Sequence, residues 1–161
     1  MAPVVLDGQL GEISAEARVY PAHLLREGGT GLCLFAARFY GVNDAIHMKR
    51  NSMELMLVDT SPRVAEMADI YGCDFEVGDA WDYAEYAAMN GHQWDAVCCD
   101  TFTGDPMTRS LNSLELWCSL ARDVVTVTHT PGAPYDVPDG WKGWLFPRND
   151  RVNWLVLERV T

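Results

Sequence analysis

Basic residues are scarce in this 161-residue chain: Lys and Arg number 12 against 23 Asp and Glu, a formal net charge of −11. General binding to nucleic-acid phosphates needs basic stripes, so this balance argues against it. Histidine is scarcer still. His23, His47, His92 and His129 stand far apart with no metal-ligand spacing, so no metal site is expected. The five cysteines (Cys33, Cys73, Cys98, Cys99 and Cys118) are an odd count without a C-x-x-C pair, and read as reduced thiols. Long apolar runs are missing too. None approaches the ~18 residues of a membrane helix, and the residues before Leu10 do not read as a secretory signal. The expected setting is a reducing cytoplasm.

What is present is the composition of an ordered domain, with 48% hydrophobic and 22% charged residues. The length suits one domain spanning 1–161, in which residues 1–30 carry the least pattern. Because the acids are dispersed, their first reading is solubility; attraction of a basic partner is the sharper alternative.

Three short apolar runs organise the centre of the chain, and each ends at an acid. Leu55 to Val58 runs into Asp59, Phe75 to Val77 into Gly78-Asp79-Ala80, and Trp94 to Cys99 into Asp100. Helical patterns separate them. Val64, Met67, Ala68 and Tyr71 share one face, with Ser61 and Pro62 before them and Gly72 after; a second helix from about Trp81 to Asn90 is closed by Gly91. Strands alternating with helices predict a parallel sheet, whose ligands bind beyond the carboxyl ends of its strands. Asp59, Asp79 and Asp100 should therefore line one edge. Asp59 suits a ribose diol; Asp79 suits an adenine amino group or a helix cap. Asp100 suits a base, or a cap of its own turn.

The flanks are read as follows. Val4 to Gly8 suggests a strand and turn, and Ser14 to Leu25 a helix interrupted at Pro21. Gly28-Gly29-Thr30-Gly31 opens an expected helix from Leu32 to Tyr40, either presenting N–H groups to a ligand or serving as a plain turn. Gly41 to Ser52 reads as a polar connection. Leu111, Leu114, Trp117, Cys118 and Ala121 mark a helix, Val124 to Thr128 a strand ending beside His129, and Trp141 to Val160 a hairpin. Trp141 and Trp144, beside the proline-rich loop, are candidates for a partner-binding surface.

Leu57-Val-Asp59-Thr-Ser-Pro62, Gly78-Asp79-Ala80-Trp-Asp-Tyr83 and Trp94-Asp-Ala-Val-Cys-Cys-Asp100-Thr-Phe-Thr-Gly104 resemble successive motifs of the class I S-adenosylmethionine (SAM)-dependent methyltransferases. The last resembles the form of the spermidine-synthase-like branch. The resemblance covers about two thirds of the chain. It implies a three-layer, Rossmann-like α/β domain with a mostly parallel sheet and an antiparallel C-terminal hairpin. SAM is the implied cofactor, with Asp59 at the ribose, Asp79 and Ala80 near the adenine, and Asp100 catalytic, deprotonating an attacking amine. Of the family's glycine-rich first motif only Gly28, Gly29 and Gly31 are present, as candidates for the methionine end. The expected activity is methyl transfer to an unidentified small-molecule or protein acceptor. The alternative is a catalytically inactive fold that binds a protein partner.

Overall fold

The computed structural model of the chain describes residues 24–37 and 39–160. The expected strand at 4–8, and all but the last two residues of the expected helix at 14–25, lie outside them. Among the described residues seven strands form one sheet: β1 (Thr30–Leu34), β2 (Glu54–Asp59), β3 (Asp74–Val77), β4 (Trp94–Cys99), β5 (Ala121–His129), β6 (Trp141–Pro147) and β7 (Asn153–Arg159). Their order is β3-β2-β1-β4-β5-β7-β6. The first five run parallel, and β7 inserts antiparallel between β5 and β6. This is the expected three-layer α/β architecture with its antiparallel C-terminal hairpin.

Successive strand residues point to opposite faces, so continuous apolar strands need cover on both sides. One face carries α1 (Phe39–Arg50) and α2 (Arg63–Tyr71), which bury Ala45, Ile46, Val64 and Met67 against Leu55, Leu57 and Cys98. The other carries α3 (Ala80–Met89), α4 (Asp105–Leu111) and α5 (Leu114–Ser119), which bury Trp81, Ala84, Leu111 and Trp117 against Val58, Val97 and Cys99. Gly72 closes α2 at φ +65°, a left-handed conformation that a Cβ would strain.

Two expectations fail in the first third. Leu32 to Leu34 is not the start of a helix but the centre of the sheet, with β1 between β2 and β4. The stretch read as a polar connection is instead α1, which buries Val42, Ala45, Ile46 and Met48. The expected helix over 111–121 is also divided. The chain breaks at Asn112–Ser113, where Ser113 Oγ donates to Arg109 O (2.8 Å).

Cys98 and Cys99 are buried thiols outside any disulfide, one in each apolar layer. Burial pushes both thiols well above the ordinary cysteine value. Alkylation of either by iodoacetamide in the native protein is therefore expected to be no faster than unfolding. Peptide mapping of a labelling time course checks this; rapid modification of both would contradict the packing.

Candidate functional site

The turns after β1, β2, β3 and β4 meet at one edge of the sheet. Asp59 ends β2, Asp79 follows β3 and Asp100 follows β4, so the three acids share the edge expected of them. Each carboxylate, however, already has local work.

Asp59 is nearly buried and ties two turns together. Its Oδ2 accepts from Ala37 N (3.1 Å), and its Oδ1 from Ser61 N (2.9 Å). Asp79 caps α3: Oδ1 accepts from Asp82 N at 2.9 Å, the ordinary role of an acid at this position.

Asp100 is fully buried. Its Oδ1 accepts from Thr128 Oγ1 and from Arg148 Nη1, both at 3.1 Å. The same guanidinium donates through Nη2 to Asp44 Oδ1 (2.9 Å) and lies over the Trp154 ring at 4.4 Å. Side chains from α1, the turn after β4, β5 and the β6–β7 turn thus form one buried polar cluster. Asp44, Cys98 and Asp100 bring ligand atoms within 4.8 Å of one another, but Arg148 already supplies the positive charge there. Burial, reinforced by the facing Asp100 and opposed by Arg148, holds the Asp44 carboxyl well above the usual carboxylate range. A protonated Asp44 is the donor that Asp100 Oδ2, otherwise without a partner among the described residues, calls for.

Gly28, Gly29 and Gly31 stand at the opposite edge, at the start of β1. A Cβ on Gly29 would meet Asp95 Oδ2 at 2.6 Å, and one on Gly31 would meet Met48 Sδ at 2.7 Å. Gly29 and Gly31 thus admit close packing around the start of β1, and Gly28 turns the chain at φ +72° with open space about it; none of the three lies beside Asp59. The turn that does face Asp59 is Phe35-Ala36-Ala37. Its Ala36 N donates to Val58 O (3.1 Å), and Phe35 sits at φ +61°. Sequence reasoning missed this turn because it contains no glycine; the continuous apolar run Leu32-Cys33-Leu34 before it was the available signal.

Between the four turns lies a pocket of about 170 Å³. Phe35, Trp81 and Phe102 supply aromatic wall, with Thr60, Asp79 and Thr101 as its polar groups. Phe35 and Trp81 meet edge to face at 5.6 Å, and Arg109 lies over the Trp81 ring at 4.0 Å. Thr101 is buried, and its Oγ1 has no partner among the described residues. Ala80, the first residue of α3, completes the floor.

The pocket stands where open α/β sheets bind ligands, at strand carboxyl ends. No family model and no curated protein matches the sequence. Solved structures do match the fold. The proposed methyltransferase yhhF of Escherichia coli superposes with a TM-score of 0.69 at 12% identity, over 96% of this chain and 93% of that one. The fold is the class I methyltransferase fold. SAM-dependent methyltransferase NGO1261 of Neisseria gonorrhoeae gives 0.58 at 11% identity, over 92% of this chain and 73% of that one. SMU.776, a proposed methyltransferase complexed with SAH, gives 0.59 at 12% identity; the match covers 85% of this chain and 47% of that protein.

The residues present fit one half of such a cofactor. An aromatic slot with a carboxylate at its rim and a free buried hydroxyl suits an adenine and its sugar. The methionine half has no counterpart among the described residues: Phe35 occupies the turn after β1, and the volume is below the ~300 Å³ at which small-molecule clefts begin.

Neither His129 nor the pair Trp141 and Trp144 is presented openly. His129 is buried, its Nε2 paired with Ala133 O (2.9 Å) and its ring against Tyr135, so it anchors the following loop. Trp141 and Trp144 do not form one surface. Three residues apart on β6, they point to opposite faces, Trp141 into one apolar layer and Trp144 against the other.

Proposed function

We propose that this chain binds SAM or its demethylated product by the adenosyl half, in the pocket between Phe35, Trp81 and Phe102, and transfers a methyl group to an acceptor not yet identified. The observation that carries this reading is the convergence of four strand-end turns on an aromatic pocket containing an unpartnered hydroxyl, in a methyltransferase fold. Asp79 would accept from the adenine amino group without leaving α3, since a carboxylate oxygen has a second lone pair. Asp59 would fix the ribose side by holding the two turns in place. The sulfonium would supply the activated methyl, and the protein chiefly position and exclusion of water.

No general base is assigned. The closer likeness to the spermidine-synthase-like branch rests on Trp94 to Gly104, and its amine-deprotonating acid would be Asp100. That role is withdrawn, because Asp100 is enclosed by Arg148 and Thr128. An acceptor that arrives already deprotonated or neutral suits the site better. The buried thiols suit a reducing compartment such as the cytoplasm.

Titration calorimetry with SAH tests the reading: one site is expected, weakened at least tenfold by Thr101→Val and by Trp81→Ala. Absence of heat at millimolar SAH would remove it. That outcome would leave the second reading, a methyltransferase fold kept for protein binding, which the enclosure of Asp100 favours.

A further inference from the structure

A larger concavity lies elsewhere. The β5–β6 connection contains no helix, and a groove of about 670 Å³ opens between α5 and the proline-rich loop that replaces one. It lies toward the sheet edge opposite the cofactor pocket, where the start of β6 pairs with the end of β7. Specific clefts occupy ~300–1,000 Å³, so this one has room for a ligand.

Its floor is apolar: Leu114, Cys118 and Trp141 are buried there, and Val137 is exposed along the lip. Its rim is acidic. Glu115, Asp136 and Asp139 are exposed and form no ion pair or hydrogen bond among the described residues. Among the described residues, the one cation lining the groove is already engaged. Arg159 donates through Nε to Arg122 O (2.9 Å) and through Nη2 to Ala121 O (2.8 Å), and it covers the Trp141 ring at 4.5 Å. On the lip, the main-chain N–H groups of Tyr135, Asp136 and Val137 have no acceptor among the described residues. They are open to pairing with an extended chain.

We propose that this groove binds a segment of a partner protein in which lysine or arginine alternates with apolar residues. Charge complementarity selects that occupant. Residues 1–23 of this chain carry Asp7, Glu12 and Glu16 against Arg18, and a second copy carries the same net charge of −11, so neither complements the rim. Nucleic-acid phosphates are repelled by it. The proposal is independent of the cofactor pocket, which lies at the other edge.

A short fluorescein-labelled peptide of alternating lysine and leucine is the probe, followed by anisotropy. Binding is expected to weaken at least tenfold in Glu115→Gln/Asp136→Asn/Asp139→Asn. It should change less than twofold in Glu66→Gln/Asp69→Asn/Glu85→Gln, which removes the same charge from exposed positions elsewhere. Peptide addition should also shift the indole N–H resonance of Trp141, identified with Trp141→Phe. All six acids are exposed, and melts of both variants verify that the fold survives. Equal weakening in the two sets would reduce the effect to general charge attraction and overturn the proposal. So would an unmoved indole resonance, or no binding at millimolar peptide. Self-association of the wild-type chain that the groove variant abolishes would overturn it too, by naming a second copy as the occupant.

Discussion

Arg148→Met should cost the fold on the order of 3–5 kcal/mol at neutral pH, the usual penalty for removing one partner of a buried ion pair. Methionine keeps much of the side-chain volume over Trp154, so the loss reports charge rather than a cavity. Without the guanidinium, Asp100 Oδ1 keeps the Thr128 hydroxyl as its side-chain donor among the described residues, in a region excluded from water. Replacing Asp44, Asp100 and Arg148 together by Asn, Asn and Met should recover most of the stability, because it leaves no unpaired charge. Urea melts of the single and triple variants measure both changes. A single variant within 1 kcal/mol of wild type would contradict the cluster.

The same cluster fixes a pH dependence. The folded-state pKa of Asp44 is raised, so its contribution to stability is complete below the ordinary carboxyl value, ~3.9, and is lost as pH rises through the elevated one. Asp44→Asn keeps the shape and has no proton to lose. Its stability relative to wild type should therefore grow as pH is raised from about 4, and the crossing of the two curves is read from melts across that range. Arg148→Met should be least damaging in acid, where the Asp44 carboxyl is neutral.

The legible parts of this fold were those in which local and tertiary signals agree. The unit from Leu55 to Gly72 has a continuous buried strand, a proline at the helix start and a left-handed glycine at its end. The three acids at strand ends were legible for the same reason, since strand direction alone places them on one edge. α1 was not. Asn43, Asp44, His47, Lys49 and Arg50 mask the helical spacing of Val42, Ala45 and Ile46. Asp44 itself becomes a core residue only because Arg148, 104 positions away, folds over it. No local pattern carries that pairing. Gly28 to Gly31 misled for a related reason. A glycine cluster signals close approach, but the approach here is to Asp95, Met48 and Leu55 rather than to a ligand. For Asp100, position along the strand was readable and exposure was not.

Phe35→Gly should strengthen the binding of SAH about tenfold, if the cofactor reading holds. Phe35 occupies left-handed backbone at φ +61°, where a residue with a Cβ carries about 1–2 kcal/mol of strain. Its ring also narrows the pocket beside Trp81. Glycine removes both and leaves main chain free to approach the methionine half, while the contact with Trp81 is lost from the unliganded fold. Relief of strain and loss of packing oppose each other, so each variant must be compared with its own unliganded melt. At a hundredfold excess over Kd, SAH should stabilise the wild type by ~2.7 kcal/mol. For a domain of this size that is a rise of roughly 5–10 °C. At the same SAH concentration a tenfold tighter Phe35→Gly site should gain ~4.1 kcal/mol, and a correspondingly larger rise. Equal rises in the two proteins would mean that the phenyl ring does not obstruct the site. A smaller rise in Phe35→Gly would make Phe35 a wall that the adenine needs, and no rise in either would leave the fold without the cofactor.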